Sequence, residues 1–570
     1  MDLINTSGGD IGKVRFKQYG EGITFISFIG DKNILNAVSG YNPLRTIHPL
    51  KVRSLPASPR SHSIFSGPNP PTFNEKSQIT VGVIDGGTNI NPYLNNYVEI
   101  IESVSGSPLA GYMDHGTQVC GTVLYGPLNE FTSKDVLPEP SLSVKSFRVL
   151  SDDTIDPDLY EVIDAIEDIV PAHKEISVYN LSLGPAGPIL DDSISRFTYS
   201  CDLLSKNHDI LFCVAVGNDG DVDGYNRIQS PADMVNGLAV GAYTKIDGKI
   251  ERASYSCIGP GREGNKMKPD LVAFGGCDRT PIHLIGSDVG MKVLSAGTSY
   301  ASPLVARAAG LLIGGSSNIL SPLIARALLI HKVAEVNYNN SHHIETGHGV
   351  LPDDINDIVS CPQKSYTLIY KGEITEGQYA EFQIPWENEI KEGKVTFRWT
   401  IAILTDVDHL SPDDYTTSGV EVTFYPNRSN YCFSRQKSGE KKKTQNINLD
   451  LFPEKENELI LDGWVRSNFP VSESGKSAYM TEEELRANLK WDSLNSKNIK
   501  KRADKISNPF FHLHALGRGS RHTQGKVKFA LIITVEAPKS TIDLYSTIIK
   551  NYSELAPINL NVKATLSVRT

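Results

Sequence analysis

The stretch ITVGVIDGG, residues 79–87, decides the fold of this 570-residue chain. Its apolar run is continuous rather than alternating, which indicates a strand buried on both faces of a parallel sheet. The run ends on Asp85, and the two glycines that follow allow a tight turn. Because sites in open parallel sheets lie at the carboxyl ends of strands, Asp85 stands where chemistry is expected.

The same pattern continues along the chain. Further strand-like apolar runs cover residues 141–150, 175–184, 210–218 and 237–244, and amphipathic stretches with helical spacing cover residues 156–170 and 193–207. A helix that opens at His115 is also expected. This alternation predicts an α/β domain with a doubly wound, mostly parallel sheet covered by helices on both faces.

Two more segments carry chemically active side chains among small residues. His115 stands in DHGTQVCGT and Ser299 stands in GTSYASP. An alcohol becomes a useful nucleophile when an imidazole takes its proton and a carboxylate orients that imidazole. Taken singly, Asp85 is typical of a turn, His115 of a structural histidine and Ser299 of a helix N-cap. Taken together, the three segments predict a serine-nucleophile hydrolase.

In this order the segments resemble the subtilase (subtilisin-like serine protease) family, over roughly residues 77–360. The resemblance implies that Asp85, His115 and Ser299 form a catalytic triad. It also implies that Asn218, in the stretch AVGND, supplies the amide of an oxyanion hole. Gly86 departs from the family, which usually has Ser or Thr there, so the carboxylate loses a supporting hydroxyl.

The resemblance further implies how a peptide substrate binds. One segment would pair with an extended peptide as an added strand, and a second would form the opposite wall of the specificity pocket. These segments are Ser182, Leu183 and Gly184, and Ala215, Val216 and Gly217. A nearby group of acids, Asp219, Asp221 and Asp223, is typical of a solvated loop. The alternative is that these acids favour a basic residue before the cleaved bond.

Changes in composition divide the chain into three regions. Residues 1–76 are predicted to form an N-terminal extension and linker, with strands at 23–30 and 44–52, a helix at 31–41, and a linker at 56–76. This fragment resembles part of a subtilase propeptide; the alternative is an extension packed on the catalytic domain. Residues 77–363 are predicted to form the catalytic domain.

Residues 364–570 have a different pattern of apolar and polar residues. Short alternating runs predict an all-β sandwich or jelly-roll-like domain. A helix with a possible capping box at Thr481 and Glu484 interrupts the strands.

The overall composition excludes several classes of protein. The chain has 56 basic and 66 acidic residues and a net charge of −10, which argues against a nucleic-acid protein. No apolar stretch approaches the ~18 residues of a membrane span. The N-terminus lacks a secretory pattern, and seven scattered cysteines indicate reduced thiols, so a cytoplasmic location is expected. A secreted protein cut from a longer precursor is the alternative.

The sequence therefore predicts a serine endopeptidase acting on polypeptides. No cofactor is required for this chemistry; the family often binds structural calcium, but no segment shows a spacing of calcium ligands. Sedolisins, which carry Glu in place of the histidine, do not fit the intact HGTQVCGT.

Two alternatives stay open. One is a silent binding platform that keeps the protease fold. The other is a latent protease switched on by a partner. The layout resembles signal-less bacterial subtilases with C-terminal β regions, some encoded beside AAA-type ATPases in phage-defence loci.

Overall fold

The computed structural model describes residues 1–20, 22–49, 63–75, 77–152, 159–317, 319–333, 343–387, 389–436, 441–473, 480–518 and 525–558. The described chain forms two compact units. The first comprises Met1–Ile355 with Asp406–Thr416, and the second comprises Asn356–Thr405 with Thr417–Asn559.

The first unit combines helices with mostly parallel strands. Its helices are α1 (Asp2–Thr6), α2 (Lys32–Ser39), α3 (Ala110–Tyr125), α4 (Tyr160–Ala172), α5 (Arg196–His208), α6 (Thr298–Gly315), α7 (Pro322–Lys332) and α8 (His343–Thr346). Its strands are β1 (Arg15–Gln18), β2 (Thr24–Ser27), β3 (Ser63–Ser66), β4 (Thr80–Asp85), β5 (Val98–Glu102), β6 (Ser143–Arg148), β7 (Val178–Leu181), β8 (Leu211–Ala215), β9 (Leu238–Ile246), β10 (Lys249–Arg252), β11 (Leu271–Phe274), β12 (Ile282–Ile285) and β13 (Met291–Ser295).

The central sheet has eight strands, in the order β10-β9-β8-β7-β4-β6-β5, and β11 also pairs with β9. The pairs from β5 through to β9 are parallel, as is the pair of β9 and β11, whereas β10 is antiparallel. Strand order reverses at β4, which lies between β6 and β7. This is the switch point at which doubly wound sheets place their sites. The predicted α/β, mostly parallel sheet is confirmed.

The central strand β4 shows how both faces are covered. A Cβ added to Gly310 of α6 would stand 2.7 Å from Cγ2 of Val81, so the helix packs directly on that face. Alternate residues of a strand point to opposite faces. Ile84 accordingly belongs to a core cluster with Ile163 of α4 and Phe197 of α5.

Three local predictions in the first unit need correction. Helix α3 begins at Ala110 rather than at His115, because the residues before His115 form helix without an apolar stripe. No strand forms over residues 44–49, and the rest of that predicted strand lies outside the described residues. The predicted linker 56–76 lies outside the described residues as far as residue 62. Beyond it, β3 pairs antiparallel with β13.

The N-terminal residues pack on the same unit. Strands β1 and β2 form a hairpin, and Tyr19 stacks edge-on against both Phe25 and Tyr199 of α5. Nζ of Lys17 lies 2.7 Å from Oε2 of Glu167 on α4. The hairpin therefore contacts helices α4 and α5.

The second unit consists of antiparallel sheets with short helices. Its strands are β14 (Ser365–Thr375), β15 (Tyr379–Gln383), β16 (Lys394–Leu404), β17 (Ser418–Tyr425), β18 (Asn430–Arg435), β19 (Lys443–Asn448), β20 (Val465–Pro470), β21 (Leu494–Arg502), β22 (Phe510–Gly517) and β23 (Lys526–Glu536). Its helices are α9 (Asn356–Val359), α10 (Glu454–Leu461), α11 (Glu482–Ala487) and α12 (Leu544–Asn551).

Two of its sheets share one core. The sheet β14-β23-β16-β21 contributes Trp399 and Leu531, and the sheet β15-β22-β17 contributes Leu513 and Phe511. The rings of Trp399 and Phe511 lie 5.2 Å apart, edge to face. The antiparallel sheets agree with the β-rich region predicted from sequence. The predicted capping box of Thr481 and Glu484 opens α11 and is confirmed.

Candidate active site

Asp85 and His115 meet at the carboxyl end of β4. Oδ1 of Asp85 lies 2.8 Å from Nδ1 of His115, a hydrogen-bonding distance. The side chain of Asp85 is 3% exposed, whereas that of His115 keeps 15% of its surface accessible. A buried carboxylate bound to Nδ1 fixes the tautomer that leaves Nε2 able to accept a proton.

Glycines allow helix α3 to approach this turn closely. A Cβ on Gly116 would stand 1.9 Å from the carbonyl oxygen of Gly87, and a Cβ on Gly86 would stand 2.3 Å from Cβ of Tyr112. Gly87 also has a φ of +105°, which side-chain-bearing residues rarely adopt. The small residues of both motifs therefore permit the contact that joins Asp85 to His115.

Glycine at position 86, in place of the usual Ser or Thr, affects the hydrogen bonding of the Asp85 carboxylate. The N–H of Gly86 donates to Oδ1 of Asp85 at 2.7 Å. Oδ2 of Asp85 is buried and accepts no hydrogen bond from any residue in the described ranges. The hydroxyl that the family usually carries at this position is absent, and the second oxygen has no replacement donor among those residues.

The surroundings of His115 set its charge. Burial lowers the pKa of His115, but the attraction of Asp85 and the hydrogen bond to it raise that pKa by more, so the net pKa lies above its ordinary value of 6.5. The neutral imidazole that can act as a base is therefore populated above this raised pKa.

Ser299 is the second residue of α6. Its Oγ lies 3.5 Å from the carbonyl oxygen of Ser182, which follows β7. The next residue, Tyr300, is fully buried, and its ring centroid lies 5.7 Å from that of His115. The start of α6 therefore lies beside the imidazole, and its helix N-terminus favours negative charge nearby.

Asn218 lies just beyond β8 and contacts the same helix start. Its Oδ1 accepts hydrogen bonds from the N–H of Thr298 at 2.9 Å and from the Thr298 hydroxyl at 3.0 Å. With Oδ1 held in this way, Nδ2 is the group left to donate elsewhere. A Cβ added to Gly297 would stand 3.8 Å from that nitrogen, in ordinary van der Waals contact.

The predicted substrate-binding segments flank the start of α6. Within the described residues, the backbones of Leu183 and Gly184 form no hydrogen bond with another backbone group. The second segment is tied down, since the N–H and C=O of Val216 bond to Val240 and Gln229. Ala215 ends β8, and Gly217 has a φ of +105°. The backbones of Leu183 and Gly184 therefore have no backbone partner among the described residues, whereas Val216 is fixed by two hydrogen bonds.

The three acids of the acidic loop differ in exposure and in hydrogen bonding. Asp219 accepts a hydrogen bond from Nε2 of Gln229 at 2.7 Å, whereas Asp221 and Asp223 are exposed. The two exposed acids fit a solvated loop. Gln229, the partner of Asp219, also donates its N–H to the carbonyl oxygen of Val216.

Sequence reasoning missed several residues around Ser299. The Tyr300 hydroxyl donates to Oε1 of Gln118 at 2.7 Å, which links α6 to the helix that carries His115. Asn180 and Ser302 are fully buried and hydrogen-bonded to each other. A polar Asn180 inside the apolar run EISVYNLSLG was the available signal.

The described residues contain no group of three or more His, Cys, Asp or Glu placed to hold a metal ion. All seven cysteines are free thiols. Among the helices that the structure describes, none has the length and apolar character needed to cross a bilayer.

The chain was compared with protein families, curated proteins and solved structures. Residues 76–349 match the model of the subtilase family, Peptidase_S8. No curated protein matches the chain. A solved structure titled "S41 Psychrophilic Protease" is 26% identical and covers 49% of this chain and 92% of its own, with a TM-score of 0.38. "Sphericase" is 21% identical and covers 51% of this chain and 94% of its own, with a TM-score of 0.39. The family match supports a serine protease, and residues 76–349 form a subtilase domain.

Proposed function

We propose that the protein is a serine endopeptidase in which Asp85, His115 and Ser299 act as a triad. The observation that carries the proposal is the hydrogen bond between Asp85 and His115, formed at the switch point of a subtilase domain beside the start of α6. The residual access to the imidazole and its raised pKa suit a general base that has a buried carboxylate behind it.

The reaction divides into two proton-coupled steps. His115 takes the proton of Ser299 as Oγ forms a bond to the substrate carbonyl carbon, and the carbonyl oxygen becomes an oxyanion. Asn218 Nδ2 and the N–H of Ser299 donate to that oxyanion. His115 then returns the proton to the leaving amine as the C–N bond breaks. Water attacks the acyl-enzyme in the same way and releases Ser299.

The free backbone edge at Leu183 and Gly184 is the proposed docking strand for an extended peptide. Recognition through the backbone implies a polypeptide substrate with a modest preference for sequence. Asp219 would add a preference for a basic residue before the cleaved bond. A peptide library cleaved by wild type and by Asp219→Asn tests this: a basic preference lost in the variant supports it, and identical profiles remove it.

A fluorophosphonate probe tests the triad. In the labelling reaction Oγ of Ser299 forms a bond to phosphorus, fluoride leaves, and His115 takes the serine proton. We expect labelling and peptide cleavage in the wild type and in Ser254→Ala, whose side chain is exposed, and neither in Ser299→Ala. Labelling that persists in Ser299→Ala contradicts the proposal.

The same experiment addresses the two alternatives. A silent platform would show no labelling under any condition. A latent protease would be labelled only after a partner is added, and an AAA-type ATPase stays a prediction of the layout alone. A cytoplasmic location, proposed on the seven unpaired cysteines, predicts full activity in reducing buffer.

A further inference from the structure

The carbonyl oxygen of Ser299 lacks its usual helical partner. In an α-helix this oxygen accepts a hydrogen bond from the N–H four residues later. That residue is Pro303, which lies inside α6 and has no N–H. Because Ser299 stands at a crowded, partly buried helix start, its carbonyl needs a donor from elsewhere in the protein.

Ser182 supplies that donor. Its hydroxyl donates to the carbonyl oxygen of Ser299 at 3.0 Å, and Ser182 is only 8% exposed. A second hydrogen bond determines the direction of this one, since Nδ2 of Asn180 donates to Oγ of Ser182 at 2.8 Å. The Ser182 oxygen therefore accepts from Asn180, and its single proton is directed to Ser299.

The chain of hydrogen bonds continues back into α6. The hydroxyl of Ser302 donates towards Oδ1 of Asn180 at 2.8 Å and also lies 2.9 Å from the carbonyl oxygen of Cys213 on β8. Asn180 and Ser302 are fully buried. In a buried chain each group is costly to leave without a partner, so loss of one member disturbs the others.

This series of hydrogen bonds holds the peptide group that follows the proposed nucleophile. The same residue, Ser182, contacts Ser299 twice, through its hydroxyl at the Ser299 carbonyl and through its own carbonyl at Oγ. Contacts at both the carbonyl oxygen and Oγ of Ser299 restrict the rotation of this residue relative to His115. The N–H proposed to serve the oxyanion belongs to the same residue and is held with it.

We infer that Ser182, Asn180 and Ser302 are positioning residues that hold Ser299 in its attacking geometry, in place of the helical hydrogen bond that Pro303 removes. The inference rests on the proposed function of Ser299 as the nucleophile. It assigns the three residues no contact with the reacting atoms through their side chains.

Ser302→Ala is the most direct test, because this side chain is fully buried and bonds to Asn180 and Cys213. The readout is the second-order rate constant of fluorophosphonate labelling, measured well below the melting temperature so that only folded protein reacts. We expect a ~10- to 100-fold lower constant, since small displacements of a reacting group have effects of this size. Ser302→Thr keeps the hydroxyl and is expected to restore most of the rate.

Ser205→Ala is the matched control. Ser205 is a fully buried serine of α5 whose hydroxyl has no hydrogen-bond partner among the described residues, so its labelling rate should equal that of the wild type. A role limited to stability would lower the melting temperature of Ser302→Ala and leave its labelling constant unchanged, which would overturn the inference.

A double-mutant cycle with Pro303 decides the matter even where Ser302→Ala fails to fold. Pro303→Ala restores an N–H that can donate to the Ser299 carbonyl. We expect Ser182→Ala to slow labelling by ~10-fold or more in the wild-type background and by much less in the Pro303→Ala background. Equal losses in both backgrounds overturn the inference.

The two levels of the proposal fail in different ways. If the wild type is not labelled under any activating condition, both the proposed function and the positioning role are wrong. If the wild type is labelled, Ser299→Ala is not, and Ser302→Ala reacts at the wild-type rate, the proposed function stands and the positioning role alone is wrong.

Discussion

Two buried carboxylates of the first unit, Asp85 and Asp202, differ in how completely they are satisfied. Asp85 is 2% exposed and accepts from His115 and from the N–H of Gly86, while its Oδ2 has no donor among the described residues. Asp202, on α5, is fully buried and accepts from several donors. These donors are the N–H of Val235 at 2.9 Å, the N–H of Asn236 at 2.7 Å and the hydroxyl of Tyr415 at 2.8 Å.

The two carboxylates are therefore suited to different roles. A carboxylate saturated by neutral donors joins chain segments, and Asp202 joins α5 to residues 235–236 and to the segment Asp406–Thr416. A carboxylate with few donors keeps its charge available to an imidazolium that forms during a reaction. We therefore expect changes at Asp85 to affect activity and changes around Asp202 to affect stability.

The largest expected effect is that of Asp85→Asn. The amide cannot hold His115 in the tautomer that accepts a proton, so kcat should fall by about 10⁴-fold. The unfolding midpoint in urea should change little, since Asp85 makes few hydrogen bonds. Asp202→Asn is the matched control and should retain most activity while losing stability. Activity of Asp85→Asn within tenfold of the wild type would contradict the different roles assigned to Asp85 and Asp202.

The second effect is that of Asn218→Ala. Loss of one oxyanion donor is expected to lower kcat by about 10²- to 10³-fold with little change in KM. Steady-state kinetics with a cleaved peptide measure both constants. Thr298→Val removes a hydroxyl that holds Oδ1 but leaves the Asn218 amide in place, so its loss should be smaller. Equal losses in the two variants would mean that Asn218 acts only through Thr298.

The third effect is that of Tyr415→Phe on stability. Tyr415 is fully buried, its hydroxyl donates to Asp202, and the Arg262 guanidinium lies 5.5 Å from its ring centroid. Removing the hydroxyl should lower the free energy of unfolding by about 2 kcal/mol, since a hydrogen bond to an acidic group is lost. Tyr41→Phe, at an exposed tyrosine, is the control. Unchanged urea unfolding in Tyr415→Phe would show that the segment is held by packing alone.

The smallest effect, taken per pH unit, is a pH dependence of stability set by Asp202. Burial raises the pKa of Asp202 to about 7, with Asp233 adding to the rise and the hydrogen bonds from Asn236 and Tyr415 opposing it. Between its unfolded pKa of about 4 and the folded value, the folded state holds a proton that the unfolded state has released. Its contribution to the free energy of unfolding therefore falls as pH rises through this window, by at most about 1.4 kcal/mol per pH unit.

Urea titrations at several pH values measure this slope. Asp202→Asn should remove it, because the amide does not titrate. A slope of equal size in the wild type and the variant would assign the proton to another group.

Much of the first unit could be predicted because its signals are local. The buried strand that ends on Asp85 is visible as an unbroken apolar run, and the glycines beside His115 and Ser299 mark where backbones approach closely. Such patterns depend on neighbours in the chain, which a single sequence contains. The start of α3 escaped because its first residues carry no apolar stripe.

Other features of the fold and of the candidate site could not be predicted, because they depend on contacts between residues far apart in the sequence. The bond between Tyr415 and Asp202 joins residues far apart in the sequence, and Asp406–Thr416 lies in a stretch whose texture is that of the β-rich region. Pro303 was visible in the motif around Ser299, but the donor that compensates for it comes from Ser182, and only the fold brings the two together.

The proposed activity requires that Asp85, His115 and Ser299 form one acylating centre. Rapid mixing with a p-nitrophenyl ester, followed by intact mass and peptide mapping, tests this most directly. We predict a burst of p-nitrophenol equal to one equivalent of enzyme and an acyl group on Ser299, with the burst rate reduced in Asp85→Asn. No burst, or an acyl group on a residue other than Ser299, would contradict the account.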